Sequence, residues 1–178
     1  MRIVSGKYKR RIIQPPKNLP VRPTTDMAKE SLFNILGNLI DFHGLKVLDL
    51  FAGTGNISYE FVSRGCSSVT AIEKDFGCVK FIKQTAEKLQ MPELRVIKQE
   101  VFRFIETNKT QFDIIFADPP YSLEKIPDLP DLIFKNSMLC DNGWLILEHP
   151  RELDFSEHTS FYEHRKYGSV NFSFFHNK

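Results

Sequence analysis

The chain has 178 residues, of which 42% are apolar and 26% are charged, enough for one domain with its own hydrophobic core. Its three cysteines are an odd number with no CxxC pair, which argues against a disulfide scaffold or a cysteine zinc site. The apolar runs are far shorter than the roughly 20 residues that cross a bilayer, and the N-terminus lacks the apolar core of a signal peptide. We therefore expect a cytoplasmic protein with no membrane partner.

Metal and hydrolase chemistry lack candidate residues. The five histidines show neither HxxxH nor HxH spacing, so we expect no metal site. The sequence also has no Gly-x-Ser-x-Gly elbow and no P-loop, and the hydrolases and nucleotidases that depend on those motifs are not supported. Nothing in the sequence suggests an oligomer, so we expect a monomer.

Positive charge is concentrated at the N-terminus. The formal net charge is only +2, but residues 1–25 contain seven Lys or Arg and no acidic residue, so the rest of the chain is net acidic. Clustered cations are typical of a phosphate-backbone partner, because each neutralised phosphate releases counterions; the alternative is a solvated basic surface without a partner. The candidate RNA-binding residues are Arg2, Lys7, Lys9, Arg10, Arg11 and Arg22.

The chain divides into a basic extension, 1–25, and a main domain, 26–178. In the extension, short strands Arg2–Val4 and Arg10–Ile13 flank a glycine turn and predict a small β-hairpin. The proline-rich segment 14–23 predicts an extended linker. Apolar residues at helical spacing then predict a helix over Met27–Ile40.

From residue 46 onward, predicted strands and helices alternate. The strands are Val47–Phe51, Ser68–Ile72, Leu94–Ile97, Phe112–Ala117 and Leu145–Leu147. The helices between them are Asn56–Arg64, Phe76–Gln90, Val101–Thr107 and Leu129–Leu139. Apolar strands separated by helices are typical of a parallel sheet covered on both faces. The segments Ser160–Tyr167 and Val170–Phe175 predict an antiparallel hairpin at its edge, which gives an α/β fold with a mostly parallel seven-stranded sheet.

A glycine-rich loop follows the first strand of this sheet. Gly53 and Gly55 allow the backbone to approach a ligand closely, and Glu73 ends the next strand, where a carboxylate can accept hydrogen bonds from ribose hydroxyls. Ser58 stands where a dinucleotide fingerprint has its third glycine, and Asp49 suits a ligand ammonium better than a pyrophosphate. The loop therefore favours S-adenosylmethionine over NAD; the alternative is a tight turn beside an ordinary surface glutamate.

A second loop, at 118–121, directly follows the fourth strand. Pro119 and Pro120 stiffen the backbone and remove two N–H donors, while Asp118 adds a carboxylate and Tyr121 an aromatic plane. Acceptors beside a stacking surface form a receptor for a planar base with an exocyclic amine. Hydrogen bonds from that amine to Asp118 and to the carbonyl of Pro119 would position its nitrogen for attack on a methyl group.

With both loops, the chain resembles the class I S-adenosylmethionine-dependent methyltransferases, and more narrowly the RsmD family, bacterial enzymes that methylate N2 of a guanine in 16S ribosomal RNA. The segments that carry the resemblance are 1–8, 22–26, 49–55, 118–121 and Tyr167-Gly168. The resemblance implies a Rossmann-like methyltransferase fold with S-adenosylmethionine as the cofactor. It also implies 16S ribosomal RNA, free or in an assembling small ribosomal subunit, as the partner.

The resemblance further implies roles for single residues. Asp49, Gly53 and Gly55 would hold the methionine end of the cofactor, Glu73 would hold its ribose, and Glu100 stands where the family contacts the adenine amino group with Asp or Asn. Residues 118–121 would hold the guanine. The basic hairpin would bind RNA phosphates, and Phe51 is a further candidate for the wall of the cofactor pocket.

Three other functions stay open at this stage. An adenine-N6 or glutamine-amide methyltransferase uses a similar proline-rich receptor, although such enzymes often have Asn in place of Asp118. An RNA-binding protein could keep this fold without turnover, but the intact pair of Asp118 and Tyr121 argues against it. A dinucleotide oxidoreductase is disfavoured by Ser58 and by the two prolines.

Overall fold

The computed structural model describes residues 1–20 and 26–178. Its α-helices are α1 (Asp26–Leu39), α2 (Asn56–Ser63), α3 (Phe76–Leu89), α4 (Val101–Thr107) and α5 (Leu129–Lys135). Its strands are β1 (Lys46–Leu50), β2 (Ser68–Glu73), β3 (Leu94–Lys98), β4 (Phe112–Ala117), β5 (Leu139–His149), β6 (Phe161–Tyr167) and β7 (Val170–His176). The predicted order of elements is confirmed throughout the described part of the main domain.

The seven described strands form one sheet in the order β3-β2-β1-β4-β5-β7-β6. The first five strands in this order pair in parallel, and β7 pairs antiparallel with both β5 and β6. The strand order reverses between β1 and β4, which lie side by side. In open α/β sheets ligands bind at such a switch point, beyond the carboxyl ends of the strands, so both predicted loops follow the two strands that border this crevice.

Both faces of the sheet are buried at its central strands, where alternate residues of one strand belong to different cores. In β1, Val47 packs with Phe33 of α1 and Phe61 of α2 in the first core, whereas Leu48 packs with Ile133 of α5 in the second. This two-sided burial explains why the parallel strands show nearly continuous apolar sequence rather than alternation. The first face is the one that positions the site, because Asp49 lies on it, two residues after Val47.

The N-terminal hairpin differs from its prediction. Among residues 1–20 the structure has a single antiparallel bridge, between Arg2 and Ile12, in place of two strands. The backbone of Arg10 is left-handed, with φ of 70°, and an extended strand cannot start from that conformation. The predicted linker 14–23 extends beyond the described residues at 21–23, where Arg22 also lies.

The last strand before the terminal hairpin is longer than predicted. The sequence at 141–143 is typical of a turn, yet β5 runs through it from Leu139 to His149, with a shift of register opposite Phe112–Ile114. The left-handed residue Asn142 forms the irregularity, and its N–H donates to the Asn177 carbonyl at 2.7 Å. The C-terminal strand therefore pairs a segment that local sequence predicts as loop, and α5 ends earlier than predicted, at Lys135.

Candidate active site

The glycine loop turns sharply between β1 and α2 by means of left-handed residues. The φ angles of Gly53 and Gly55 are 55° and 80°, and Phe51, which is half-buried, has φ of 63°. A Cβ at Gly55 would lie 2.9 Å from the ring of Tyr59. Gly55 is thus required both by its backbone conformation and by the aromatic ring packed against it.

Glu73 connects the end of β2 to this loop. Its carboxylate accepts a hydrogen bond from the Gly53 N–H at 2.8 Å and another from the Asp75 N–H at 2.8 Å. Each carboxylate oxygen has a second lone pair, so Glu73 can order the loop and still accept hydrogen bonds from a ligand. The sequence suggested only the second of these roles.

Asp49 is almost fully buried at the end of β1, and the Ser58 hydroxyl donates a hydrogen bond to its carboxylate. Burial, together with the nearby carboxylates of Asp118 and Glu73, raises the pKa of Asp49 to about 7. Ser58 therefore has a specific function here as the hydrogen-bond donor to Asp49. The sequence had pointed to Ser58 only as a departure from the dinucleotide pattern.

The second loop brings Asp118 and Tyr121 to the neighbouring strand end. Asp118 is half-buried, Pro119 is buried, and Pro120 is exposed. Tyr121 is 49% exposed, while its hydroxyl donates a 3.0 Å hydrogen bond to Glu148. The pKa of Tyr121 is raised by partial burial and by the carboxylates of Glu148 and Asp118. This anchored and half-exposed ring offers a face on which a base can stack.

Glu148 is a site residue that the sequence reasoning missed. It lies near the end of β5 and is 7% exposed. The Tyr121 hydroxyl donates a hydrogen bond to its carboxylate, and the Asp118 carboxylate is close enough to raise its pKa. The register of the parallel pair β4 and β5 could have identified Glu148. In parallel strands the residues that follow the paired Ala117 and Leu147 are neighbours, and these residues are Asp118 and Glu148.

Glu100 caps a helix in this structure. Its carboxylate accepts hydrogen bonds from the N–H groups of Phe102 and Arg103 at 3.1 and 3.0 Å, at the start of α4. This explains why an acidic residue suits the position whether or not a ligand is present. A contact from Glu100 to a cofactor adenine stays a prediction.

The electrostatics of the strand ends suit a cationic cofactor. The carboxylates of Asp118 and Glu73 lie close enough to Asp49 to raise its pKa. A ligand carrying a sulfonium and an ammonium group would relieve this repulsion, whereas a pyrophosphate would add to it. The residues present therefore fit S-adenosylmethionine better than a dinucleotide.

The basic residues lie on a well-packed N-terminal platform, by which we mean residues 1–13. Ile3, Tyr8 and Ile13 are buried in the first core, and Glu60 of α2 accepts hydrogen bonds from the N–H groups of Val4 and Ser5 at 2.8 and 3.0 Å. Five of the six predicted RNA-binding residues are exposed on it: Arg2, Lys7, Lys9, Arg10 and Arg11. The sixth, Arg22, lies outside the described residues.

A buried ion pair between Lys29 and Glu60 is hydrogen-bonded to the backbone of the platform. Lys29 of α1 is fully buried and lies 3.6 Å from the Glu60 carboxylate, and its ammonium donates to the Arg2 carbonyl at 2.6 Å and to the Asn56 side chain at 2.7 Å. Arg64 donates to the same glutamate at 3.0 Å. Burial lowers the pKa of Lys29, and the nearby Glu60 opposes this shift.

Helix α2 joins the platform to the glycine loop. Its first residue follows Gly55, and its last residue, Ser63, accepts hydrogen bonds from the N–H groups of Lys7 and Tyr8 at 2.7 and 3.0 Å. All eight residues of α2 are buried. Because eight residues span only about 12 Å, the platform lies within about that distance of the glycine loop and is hydrogen-bonded to the helix that begins there.

Within residues 1–20 and 26–178, no group of three or more His, Cys, Asp or Glu side chains is arranged to hold a metal ion. The described helices include none that is long and apolar enough to cross a membrane.

The fold is that of the class I methyltransferases, as comparison with solved structures shows. A structure described as "Putative methyltransferase yhhF from Escherichia coli" superimposes with a TM-score of 0.85 at 27% identity, covering 100% of this chain and 98% of that one. The seven-stranded sheet with its antiparallel C-terminal strands matches these neighbours.

Sequence comparison identifies the family. A family model described as "Conserved hypothetical protein 95" matches residues 1–176. The Bacillus subtilis protein named "Putative rRNA methyltransferase YlbH" is 35% identical over 88% of this chain and 86% of its own length. The ribosomal RNA small subunit methyltransferase D of Buchnera aphidicola is 32% identical over 86% of this chain and 78% of its own. The chain belongs to the RsmD family.

Proposed function

We propose that this protein transfers a methyl group from S-adenosylmethionine to the exocyclic N2 amine of a guanine in 16S ribosomal RNA. The observation that carries the proposal is the shared strand-end edge. Asp118 of the 118–121 loop lies close enough to Asp49, beside the glycine loop, to raise its pKa. A base held by one loop would therefore lie against a cofactor held by the other. Relatives named small subunit methyltransferase D support the RNA class.

The cofactor would be held by residues of the first loop and by the strand that follows it. The methionine end would lie by Asp49, Gly53 and Gly55, the ribose by Glu73, and the adenine by Glu100. Phe51, half-buried at the turn, would form part of the wall. When bound, S-adenosylmethionine supplies an electrophilic methyl group on a positively charged sulfur.

The 118–121 loop would prepare the attacking nitrogen. The lone pair of a guanine amine is delocalised into the ring, so the amine is a weak nucleophile. Hydrogen bonds from its two N–H groups to the Asp118 carboxylate and the Pro119 carbonyl bias the nitrogen toward tetrahedral geometry, and stacking on Tyr121 fixes the plane of the ring. Asp118 or water would accept the proton that the amine loses on methylation.

The N-terminal platform would bind RNA phosphates. Its exposed cations are held on a surface that is itself hydrogen-bonded to α2, so phosphate contacts there would orient the RNA relative to the strand ends. Phosphate contacts position a nucleic acid, while contacts to base edges select the base. The platform would thus supply affinity for RNA, and the 118–121 loop would select the base that is methylated.

One labelling experiment tests the proposal. The purified protein is incubated with methyl-labelled S-adenosylmethionine and with naked 16S RNA, small subunits lacking the modification, or DNA, and the labelled nucleoside is identified by mass spectrometry. We expect N2-methylguanosine from one of the two RNA substrates, and primer extension then maps the modified position.

Other outcomes would overturn the proposal in specific ways. Label on N6-methyladenosine would establish an adenine methyltransferase that uses the same acceptor loop. No label on any of the three substrates would favour an RNA-binding protein without turnover. Label on DNA alone would exclude ribosomal RNA as the substrate.

A further inference from the structure

Glu148 is a buried carboxyl group beside the proposed base-binding loop. Phe116 and Ile146 share the first core, and side chains two residues apart on a strand share a face. Asp118 and Glu148, each two residues further along, therefore lie on that same face at the ends of neighbouring strands. This is the face on which Asp49 lies.

The two oxygens of Glu148 differ in their surroundings. Oε1 accepts the 3.0 Å hydrogen bond from the Tyr121 hydroxyl. Oε2 is shielded from solvent and has no hydrogen-bond partner among the residues that the structure describes. A buried polar atom left without a partner costs roughly 1–3 kcal/mol. An atom of this kind next to a proposed substrate loop indicates that a ligand donor completes the site.

The groups facing Glu148 restrict what that donor can be. Asp118 and Tyr121 face it from β4 and its loop, and Phe172 is its partner on β7. Burial and the Asp118 carboxylate raise the pKa of Glu148 to about 8. A donor from the ligand would favour the ionised form, since it would supply the hydrogen bond that Oε2 lacks.

We propose that Glu148 reads the target base by accepting a hydrogen bond from guanine N1–H at Oε2. In guanine, N1–H is adjacent to the N2 amine on the same edge, so a base whose amine is held by Asp118 presents N1–H to a neighbouring acceptor. Adenine has a lone pair at N1 instead, and the ionised carboxylate, which is the form of Glu148 above about pH 8, would repel it. Glu148 would therefore determine specificity for guanine, while its other oxygen orients Tyr121.

This inference rests on the proposed function, and it requires the base to reach an atom that is shielded in the free protein. The proposal therefore requires the neighbouring segment, in which Pro120, Tyr121 and Ser122 are all exposed, to move outward when the base binds. A base stacked on the Tyr121 ring would then bring its N1–H to Oε2.

The test replaces one base in the RNA. At the guanine mapped by the labelling experiment, a ligated RNA carries 2-aminopurine, which keeps the 2-amino group but has a lone pair at N1. Initial rates of methyl transfer to the guanine and 2-aminopurine RNAs are measured at about pH 9, where the Glu148 carboxyl is ionised. They are compared for the wild type, for Glu148→Gln, and for the control Glu152→Gln, which changes an exposed glutamate four residues further on. Thermal melting checks that each variant is folded.

We expect the wild type and the Glu152→Gln control to prefer guanine by about a hundredfold or more, as a site built to bind an N–H donor does. Glu148→Gln should reduce this preference to less than about tenfold, since an amide can donate to the N1 lone pair as well as accept from N1–H. A merely structural role for Glu148 would lower both rates and leave their ratio unchanged.

The possible negative results distinguish a wrong function from a wrong role for Glu148. If the wild type labels no guanine in any RNA, the proposed function is wrong. If the wild type methylates guanine and 2-aminopurine at equal rates, the function stands and the role of Glu148 is wrong. If Glu148→Gln does not fold, the wild-type ratio still decides, and Glu148→Asp, which withdraws the carboxylate by one methylene, should lower that ratio.

Discussion

Two buried glutamates, Glu60 beneath the N-terminal platform and Glu148 at the strand ends, have opposite surroundings. Glu60 accepts hydrogen bonds from two backbone N–H groups and from Arg64, and it lies 3.6 Å from the buried Lys29 ammonium. Glu148 accepts one hydrogen bond, from a tyrosine hydroxyl, and faces another carboxylate. Both side chains are hidden from water, yet only the first has donors for both of its oxygens.

The difference separates a structural carboxylate from one placed for a ligand. A buried charge is tolerated when it is paired and fully hydrogen-bonded. Where a protein retains a buried acid with a donor for only one of its oxygens, the uncompensated cost is expected at functional sites. The two regions are joined by α2, and the predictions below test whether removing carboxylates costs stability at one end and activity at the other.

The largest expected effect is on catalysis. Asp118→Ala should lower methyl transfer by about a thousandfold or more, because it removes an acceptor that positions and polarises the attacking amine. Binding of S-adenosylmethionine, measured by calorimetry, should persist, and the melting temperature should not fall, since the change removes one of several clustered carboxylates. Loss of cofactor binding in this variant would assign Asp118 to the cofactor instead of the base.

The next effect is on stability at the platform. Glu60→Gln should lower the free energy of unfolding by about 3–5 kcal/mol, because it removes the countercharge nearest to the buried Lys29 and leaves only the weaker influence of Asp26. Urea denaturation followed by circular dichroism measures this loss. Adding Lys29→Met to Glu60→Gln should recover part of it, and a double variant no more stable than Glu60→Gln alone would show that the ion pair is not the cause.

Contact between the platform and α2 can be tested at Gly6. A Cβ at this residue would lie 1.7 Å from the Ser63 carbonyl oxygen, and its φ is +78°. Gly6→Ala should therefore displace the platform, reduce stability by about 2–4 kcal/mol, and increase hydrogen exchange in residues 1–13. Gly168→Ala is the matched control, because its φ is +59° but no atom lies within 4 Å of an added Cβ, so it should cost only about 1 kcal/mol.

These two regions also show what the sequence could predict. Parallel strands bring their carboxyl ends to one edge, so a sequence that predicts β1, β2 and β4 already groups Asp49, Glu73 and Asp118. The clustering of cations in the platform could be predicted from the composition of residues 1–25 alone. Both of these inferences use only local pattern and general topology.

The buried glutamates could not be read in that way. Glu60 occupies a polar position of a short helix, and its burial depends on a segment more than 50 residues earlier in the chain that packs over it. Glu148 was hidden because the predicted fifth strand ended at Leu147, and its neighbour Asp118 becomes evident only from the register of β4 and β5. The N-terminal pairing was predicted too long because the left-handed backbone of Arg10, with φ of 70°, interrupts the second predicted strand at its first residue.

A smaller and pH-dependent effect is expected at the strand ends. Glu148→Gln should raise the free energy of unfolding at pH 8 by about 1–3 kcal/mol. The pKa of Glu148 is raised from 4.5 to about 8 in the folded protein, so between these pH values the folded state keeps a proton that the unfolded chain has released. Wild-type stability therefore falls as pH rises through this window, whereas glutamine does not titrate.

The measurement is a series of urea denaturation curves from pH 4.5 to pH 8. The advantage of Glu148→Gln should be near zero at pH 4.5 and should grow toward pH 8. The exposed control Glu152→Gln should show no such trend. A constant difference across the series would mean that the native carboxyl is ionised throughout and that its surroundings already satisfy it.

The smallest effect concerns RNA affinity. Arg10→Glu combined with Arg11→Glu should weaken binding to 16S RNA by about tenfold near 0.1 M salt. Each lost phosphate contact should also reduce the slope of log affinity against log salt by about 0.7 to 0.9. Fluorescence anisotropy over a salt series gives both quantities, while the fold should survive because both side chains are exposed.

The control for this pair carries the same change of net charge elsewhere. Lys109 and Lys135 are exposed and lie just before β4 and β5, at the edge of the sheet opposite the strand ends. Lys109→Glu with Lys135→Glu should change the general attraction between protein and RNA but should leave the salt slope near that of the wild type. If both double variants reduce the slope equally, the platform makes no specific phosphate contacts, and it would remain a stabilising segment rather than part of the RNA-binding surface.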